Sequence, residues 1–197
     1  MFTGIITHLG ICKDKSDSGI LISAPKSFAN VLKKGSSVAV NGICLTITSK
    51  SDSSFRVDIM PETWKKTAMS KLSPHDVVNL ELPMAANGRF EGHIAQGHVD
   101  GVAKIVKIEK KKNSWVFKFK THKKLTSFMI EKGSVAVNGI SLTIISVTKT
   151  TFTVGIIPYT FTNTMLYNAK INDLVNIETD MLGKYLLKFL KQAKKTI

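Results

Sequence analysis

The chain has 197 residues, 43% of them hydrophobic, enough to pack one large domain or two small ones. No run approaches the ~20 apolar residues of a membrane-spanning helix, and the opening MFTGIITHLG lacks the basic start and small-residue cleavage site of a secretory signal. The formal charge of +14 comes from 28 basic residues, but only Arg56 and Arg89 are arginine, and the lysines fall in short separate groups such as Lys110 to Lys112, Lys123 and Lys124, and Lys194 and Lys195. Recognition of phosphate or base edges favours the planar fork of arginine, so these groups read as solvated faces and nucleic acid is not an expected partner. Cys12 and Cys44 have no histidine at metal-ligand spacing, so reduced thiols, no metal and a cytoplasmic setting are expected.

In chain order, a short helix is predicted in APKSFANVLKKG, with Pro25 just inside its start and Gly35 just past its end. It leads into VAVNGICLTIT, residues 38–48, two β-branched runs joined by Asn41-Gly42, which supplies turn or bulge chemistry at positive φ. FRVDIM and then VVNLEL follow as strands. MAANGRFEG interrupts the strand pattern and places a boundary near residue 86. In GHIAQGHVDG, His93 and His98 are five residues apart, so a continuous strand puts them on opposite faces, and both line one pocket only across a bulge.

The second half then repeats the first. HKKLTSFMIEKG is a helical stretch closing at Gly133, and VAVNGISLTII, residues 135–145, matches residues 38–48 at nine of eleven positions, 97 residues on. The same offset carries Ile59, Pro61, Thr63 and Thr67 onto Ile156, Pro158, Thr160 and Thr164, and Asn79 and Glu81 onto Asn176 and Glu178, which makes this a duplication. FTVGII and LVNIET are the matching strands. Short strands with one or two small helices per ~90 residues predict an all-β protein of two tandem, small closed barrels. The ranges are 1–86 and 87–179, with an amphipathic helix over 180–197. Asp180 is its candidate cap, and its stripe of Leu182, Tyr185, Leu186, Phe189, Leu190 and Ala193 must bury against its own barrels or other subunits rather than a membrane.

The opening MFTGII, the pair NGICLTIT and NGISLTII, GHIAQGHVDG, MPET and the ending VNIETDMLGKY resemble the riboflavin synthase family, in the same order and over essentially the entire chain. The resemblance implies two six-stranded Greek-key barrels related by pseudo-twofold symmetry and a C-terminal helix that assembles three subunits. It implies a cofactor-free transferase that turns two molecules of 6,7-dimethyl-8-ribityllumazine into riboflavin and 5-amino-6-ribitylaminouracil by four-carbon transfer, with two substrates held per site. The non-catalytic lumazine- or flavin-binding proteins of the same fold are the alternative.

Carried over residue by residue, the resemblance assigns Gly4, Ile5, Ile6, Cys44, Leu45, Thr46, Asp58, Ile59, Met60, Pro61, Glu62 and Thr63 to the ligand of the first barrel. It assigns Gly97, His98, Val99, Ser141, Leu142, Thr143, Gly155, Ile156, Ile157, Pro158, Tyr159 and Thr160 to that of the second, with Lys132 reaching in from a neighbouring subunit. Hydroxyls and backbone amides suit a pyrimidine edge and a ribityl chain, and apolar walls suit the ring. Ser141, Cys44 and His98 are the candidate nucleophiles or proton relays, and Phe2 is expected to shape the site. Two positions depart from the family pattern: Asn138 stands where many members have Asp, and Glu91 where they have the first glycine of GGH. An amide cannot serve as a general base, so Asn138 is read as a turn residue like Asn41.

Overall fold

In the computed structural model, which describes residues 1–193, each half of the chain closes into a six-stranded antiparallel barrel. The first uses β1 (His8–Ser16), β2 (Gly19–Ser23), β3 (Ser37–Val40), β4 (Ile43–Lys50), β5 (Ser54–Asp58) and β6 (Val77–Glu81) in the spatial order β1-β2-β5-β4-β3-β6. The second uses β7 (Gly101–Lys111), β8 (Ser114–Lys120), β9 (Ser134–Val137), β10 (Ile140–Val147), β11 (Thr151–Ile156) and β12 (Leu174–Thr179) in the equivalent order. Closure removes the free edges that short strands otherwise expose.

The alternation of residue types dictates which face turns inward. In β4, Ile43, Leu45 and Ile47 are buried while Cys44 and Thr46 lie toward the outside; in β10, Ile140, Leu142 and Ile144 repeat this, with Ser141 and Thr143 outward. Each barrel has its own core, around Ile20, Phe28 and Phe55 in one and Phe117, Phe119 and Phe152 in the other. Each such buried side chain contributes roughly 1.5–3 kcal/mol of transfer free energy.

The predicted helices are shorter than their sequences suggest. Helix α1 spans Lys26–Val31, with Pro25 at the capping position outside it and Gly35 in a later turn. The two helices that follow the fifth strand of each barrel are α2 (Pro61–Lys66) and α4 (Pro158–Thr162), each started by its proline. Between them, α3 is a single turn, Lys123–Thr126. The closing residue of that stretch is Lys132 rather than Gly133: it takes φ 64° at the position equivalent to Gly35 with φ 83°. Both amides donate to the same β4 or β10 carbonyl, of Ile47 or Ile144, at 2.8 Å. Helix α5, Met181–Ala193, follows Asp180, whose Oδ1 accepts the Leu182 amide at 3.0 Å, the capping role expected of it. Its stripe of Leu182, Tyr185, Leu186, Phe189 and Leu190 is more than half exposed in the single chain. Lys194 and Lys195 lie outside the described residues. Among the described residues, no helix is long and apolar enough to cross a membrane.

The barrels meet on a pseudo-twofold axis at their two Asn-Gly turns. Asn41, Gly42, Asn138 and Gly139 all have positive φ. A Cβ on Gly42 would stand 2.5 Å from the Gly139 amide nitrogen, so the backbones touch only because both are glycine. Four asparagines join the halves. The Asn79 Nδ2 donates to the Asn138 carbonyl at 2.9 Å and the Asn176 Nδ2 to the Asn41 carbonyl at 2.8 Å. Their Oδ1 atoms accept the Met165 and Ala68 amides, each at 2.7 Å. Asn138 itself accepts the Asn176 amide at 2.7 Å, as Asn41 accepts that of Asn79 at 2.8 Å, so an acceptor and a turn are what this position supplies.

Candidate functional site

The outward residues of β4 and β10 and the starts of α2 and α4 form two equivalent cups. The first is a cleft of about 180 Å³ lined by Ile43, Cys44, Glu62, Thr63, Lys66, Thr67, Gly97, His98 and Val99. Its wall is completed by a segment from the other half: the Cys44 amide donates to the Gly97 carbonyl at 2.9 Å, and Val99 packs on the first core. In the second cup the Ser141 amide donates to the Gly4 carbonyl at 2.8 Å, and Ile6 packs on the second core. Each barrel therefore lends a strap to its sister. The expectation from sequence grouped Gly4 to Ile6 with the first barrel and Gly97 to Val99 with the second, and the structure exchanges them.

The straps cross where Phe2 and Ala95 form an isolated antiparallel bridge, with Phe2 N to Ala95 O at 2.7 Å and Ala95 N to Phe2 O at 3.1 Å. Phe2 is 1% exposed and packs with Ala39, Ala95 and Cys44. It thus fixes the crossing and touches the first cup at its thiol. Both straps are held by carboxylates near the end of the sixth strand of each barrel. Glu81 accepts the Thr3 and Gly4 amides and the Thr3 hydroxyl, and Glu178 accepts the Gln96 and Gly97 amides. Burial pushes both carboxyl groups above their ordinary range while the donated amides pull back.

His93 is the residue that sequence reasoning did not place. Residues 92–99 do not form a continuous strand, so the opposite-face argument for His93 and His98 does not apply. His98 is exposed on the rim of the first cup, whereas His93 turns into the second with its Nδ1 2.7 Å from the Ser141 Oγ. Its Nε2 is buried without a protein partner among the described residues. Burial lowers the His93 pKa, and the nearby charge of Asp180 opposes this. A neutral imidazole bonded to a hydroxyl can take or relay a proton. The first cup has Cys44 in place of Ser141 and, among the described residues, no histidine hydrogen-bonded to its thiol.

The remaining expected residues divide by direction. Leu45, Ile59, Leu142 and Ile156 face the barrel cores, so they reach a cup only through their backbone. Thr46, Asp58, Met60, Pro61, Glu62, Thr143, Ile157, Pro158 and Tyr159 are exposed, and Thr63, Gly155 and Thr160 are half-buried. Tyr159 at 74%, Met60 at 71% and Ile157 at 60% leave both mouths apolar and open. Lys132 is exposed and is not among the residues that line the first cup.

The lumazine binding domain family matches residues 3–83 and again residues 96–180. Riboflavin synthase of Bacillus amyloliquefaciens is 44% identical over all of this chain and 93% of its own length. That of Schizosaccharomyces pombe is 37% identical over 97% of this chain and 94% of its own. Among solved structures, LumP complexed with 6,7-dimethyl-8-(1'-D-ribityl) lumazine superposes with a TM-score of 0.81 at 26% identity, over 91% of this chain and 99% of that one. LumP complexed with riboflavin gives 0.82 at the same identity and coverage.

Proposed function

The chain belongs to the riboflavin synthase family, and from that premise we propose that each cup binds one 6,7-dimethyl-8-ribityllumazine and that the pair exchange a four-carbon unit. The products are riboflavin and 5-amino-6-ribitylaminouracil. The observation that carries this reading is the equivalence of the cups: the same strand positions, the same proline-led helix and the same kind of strap line both, as two identical substrates require.

The chemistry needs a proton removed from the acidic methyl on carbon 7 of one lumazine and a second lumazine aligned for attack. Holding both in place makes a bimolecular encounter nearly unimolecular, which can supply about 7–11 kcal/mol. His93 and Ser141 are the groups suited to move the proton, because a depressed pKa keeps the imidazole neutral, and so free to accept a proton, at ordinary pH. Cys44, His98 and Phe2 shape the opposite cup, with Thr46, Thr143, Glu62 and Thr160 available to the polar edge and ribityl chain.

Each site lies between the first barrel of one subunit and the second barrel of another, within an assembly of three. The open apolar mouths at Met60, Ile157 and Tyr159 suit closure by the facing barrel of another subunit, and the exposed stripe of α5 suits burial against two copies of itself. In that assembly residues 1–86 and 87–179 are the ligand-binding units, 180–197 assembles them, and Lys132 reaches into a neighbour's cup. Reduced thiols at Cys12 and Cys44 suit the cytoplasm.

Mixing purified protein with 6,7-dimethyl-8-ribityllumazine should produce riboflavin absorbance with a second product in equal amount. Stoichiometric binding without turnover would instead make it a non-catalytic binding protein. Light scattering should give three times the chain mass, and a monomer that retains full activity would sink the shared-site account.

A further inference from the structure

We propose that Glu81 and Glu178 are positioning residues that act across the pseudo-twofold axis, each fixing the strap that closes the other barrel's cup. The inference deepens the ligand reading given above. Glu81 ends β6 of the first barrel, is 4% exposed, and accepts Thr3 N at 2.7 Å, Thr3 Oγ1 at 2.9 Å and Gly4 N at 3.1–3.2 Å. One bond further along, Gly4 O receives the Ser141 amide of the second cup. Glu178, the next-to-last residue of β12, does the same for the second barrel, accepting Gln96 N at 2.7 Å and Gly97 N at 2.9 Å, and Gly97 O receives the Cys44 amide of the first cup. A carboxylate this deep is costly unless several donors converge on it, and here the donors are the strap amides themselves.

The fit leaves no slack on either strap. A Cβ on Gly4 would lie 2.7 Å from the Ser141 Cβ, and one on Gly97 would lie 2.5 Å from the Cys44 Cβ. The strap backbone is thus pressed on the β4 or β10 residue that faces the ligand. It is pulled there by a carboxylate rooted in the opposite barrel. Exchanging the carboxylate for an amide replaces one acceptor oxygen by a donor aimed at strap N–H groups, which loosens the strap while leaving the shape of the barrel that carries it.

Cys44 provides a readout that needs no ligand. It is half-buried under Gly97, and Cys12 is fully buried, so a thiol reagent such as 5,5'-dithiobis(2-nitrobenzoate) reports on the first cup. Glu178→Gln should speed modification of Cys44 roughly tenfold, the effect of losing one or two charge-assisted bonds on local opening, while Glu81→Gln, which reaches Cys44 only through Phe2, speeds it several-fold less. In a Cys44→Ser, Ser141→Cys protein the reporter moves under Gly4, and the dependence should invert. Equal acceleration by both variants, no acceleration by either, or acceleration of each barrel's own thiol by its own carboxylate would overturn the proposal. If a glutamine variant does not fold, Glu81→Asp and Glu178→Asp keep the charge and shorten the reach, and the same crossed pattern must appear at smaller size. Riboflavin titrations read the ligand side through Trp64, which shares helix α2 with the cup residues Glu62, Thr63 and Lys66, and through Trp115, which stacks on Phe161 of α4. Glu178→Gln should weaken quenching of Trp64 and spare Trp115, and Glu81→Gln the reverse. A wild-type protein in which riboflavin quenches neither would count against the ligand reading, and the thiol rates would still decide the crossing.

Discussion

The two cups share a backbone and differ in their chemistry. Position for position, Cys44 faces Ser141, Asp58 faces Gly155, Met60 faces Ile157, Glu62 faces Tyr159, and the strap residues His98 and Val99 face Ile5 and Ile6. Only the second cup adds His93, bonded to its hydroxyl. Duplication supplied the concavity twice, and divergence placed the hydroxyl–imidazole pair once. The lesson is that binding and chemistry can be separated between copies of one fold: geometry comes from what the halves keep, reactivity from what they do not.

The sharpest break of this comparison is the paired substitution of Ser141 and Cys44. Ser141→Ala should lower kcat on the order of 10²-fold, the low end of a general acid–base contribution, while Cys44→Ala changes KM more than kcat. Equal losses in steady-state kinetics would mean the cups share the chemistry. A pH series sharpens the same point. Because burial lowers the His93 pKa, the imidazole stays neutral until the pH falls below its ordinary value of about 6.5, so the acid limb of kcat/KM should fall only below that value and vanish in His93→Gln. The unfolded chain binds that proton more readily than the folded one, so this group also costs stability as pH falls, a loss that urea melts of His93→Gln should not show.

Lys132 offers a smaller, two-sided test. Its left-handed backbone is free of charge for the equivalent Gly35 but strained for lysine, so Lys132→Gly should raise stability by about 0.5–1 kcal/mol. If the side chain serves a neighbour's cup, activity must fall in the same variant. Activity that rises or holds would make Lys132 a mere surface residue. The smallest expected effect lies on the outer sheet faces. Lys104 pairs with Lys120 and Lys107 with Lys118 across β7 and β8, where the first barrel has Ile11 with Ser23 and Asp14 with Leu21. Lys120→Ser should stabilise by a few tenths of a kcal/mol at low salt, an effect that 1 M salt abolishes.

Much of this was legible in the residues. The repeat gave the two barrels and the Asn-Gly turns, and helical spacing gave the C-terminal helix, because strand alternation, turn chemistry and the apolar stripe are local. The strands at the start of each half escaped notice, since bulges between Cys12 and Asp14 and between Ile105 and Lys107 break their alternation. The crossing of the straps was illegible for a different reason. Gly4 corresponds to Gly97 at an offset of 93 rather than 97, so the register that revealed the repeat skips them. Even in register, sequence does not say whether a segment closes its own barrel or the sister copy. His93 lies outside the 97-residue register that revealed the repeat, so symmetry could not flag it.

The exchange of straps also makes the two halves indivisible. A barrel parted from its sister keeps a segment with nowhere to lie and a cup with no lid, because Gly4 serves Ser141 and Gly97 serves Cys44. Each half is free to differ in its side chains but not in the strap it gives the other.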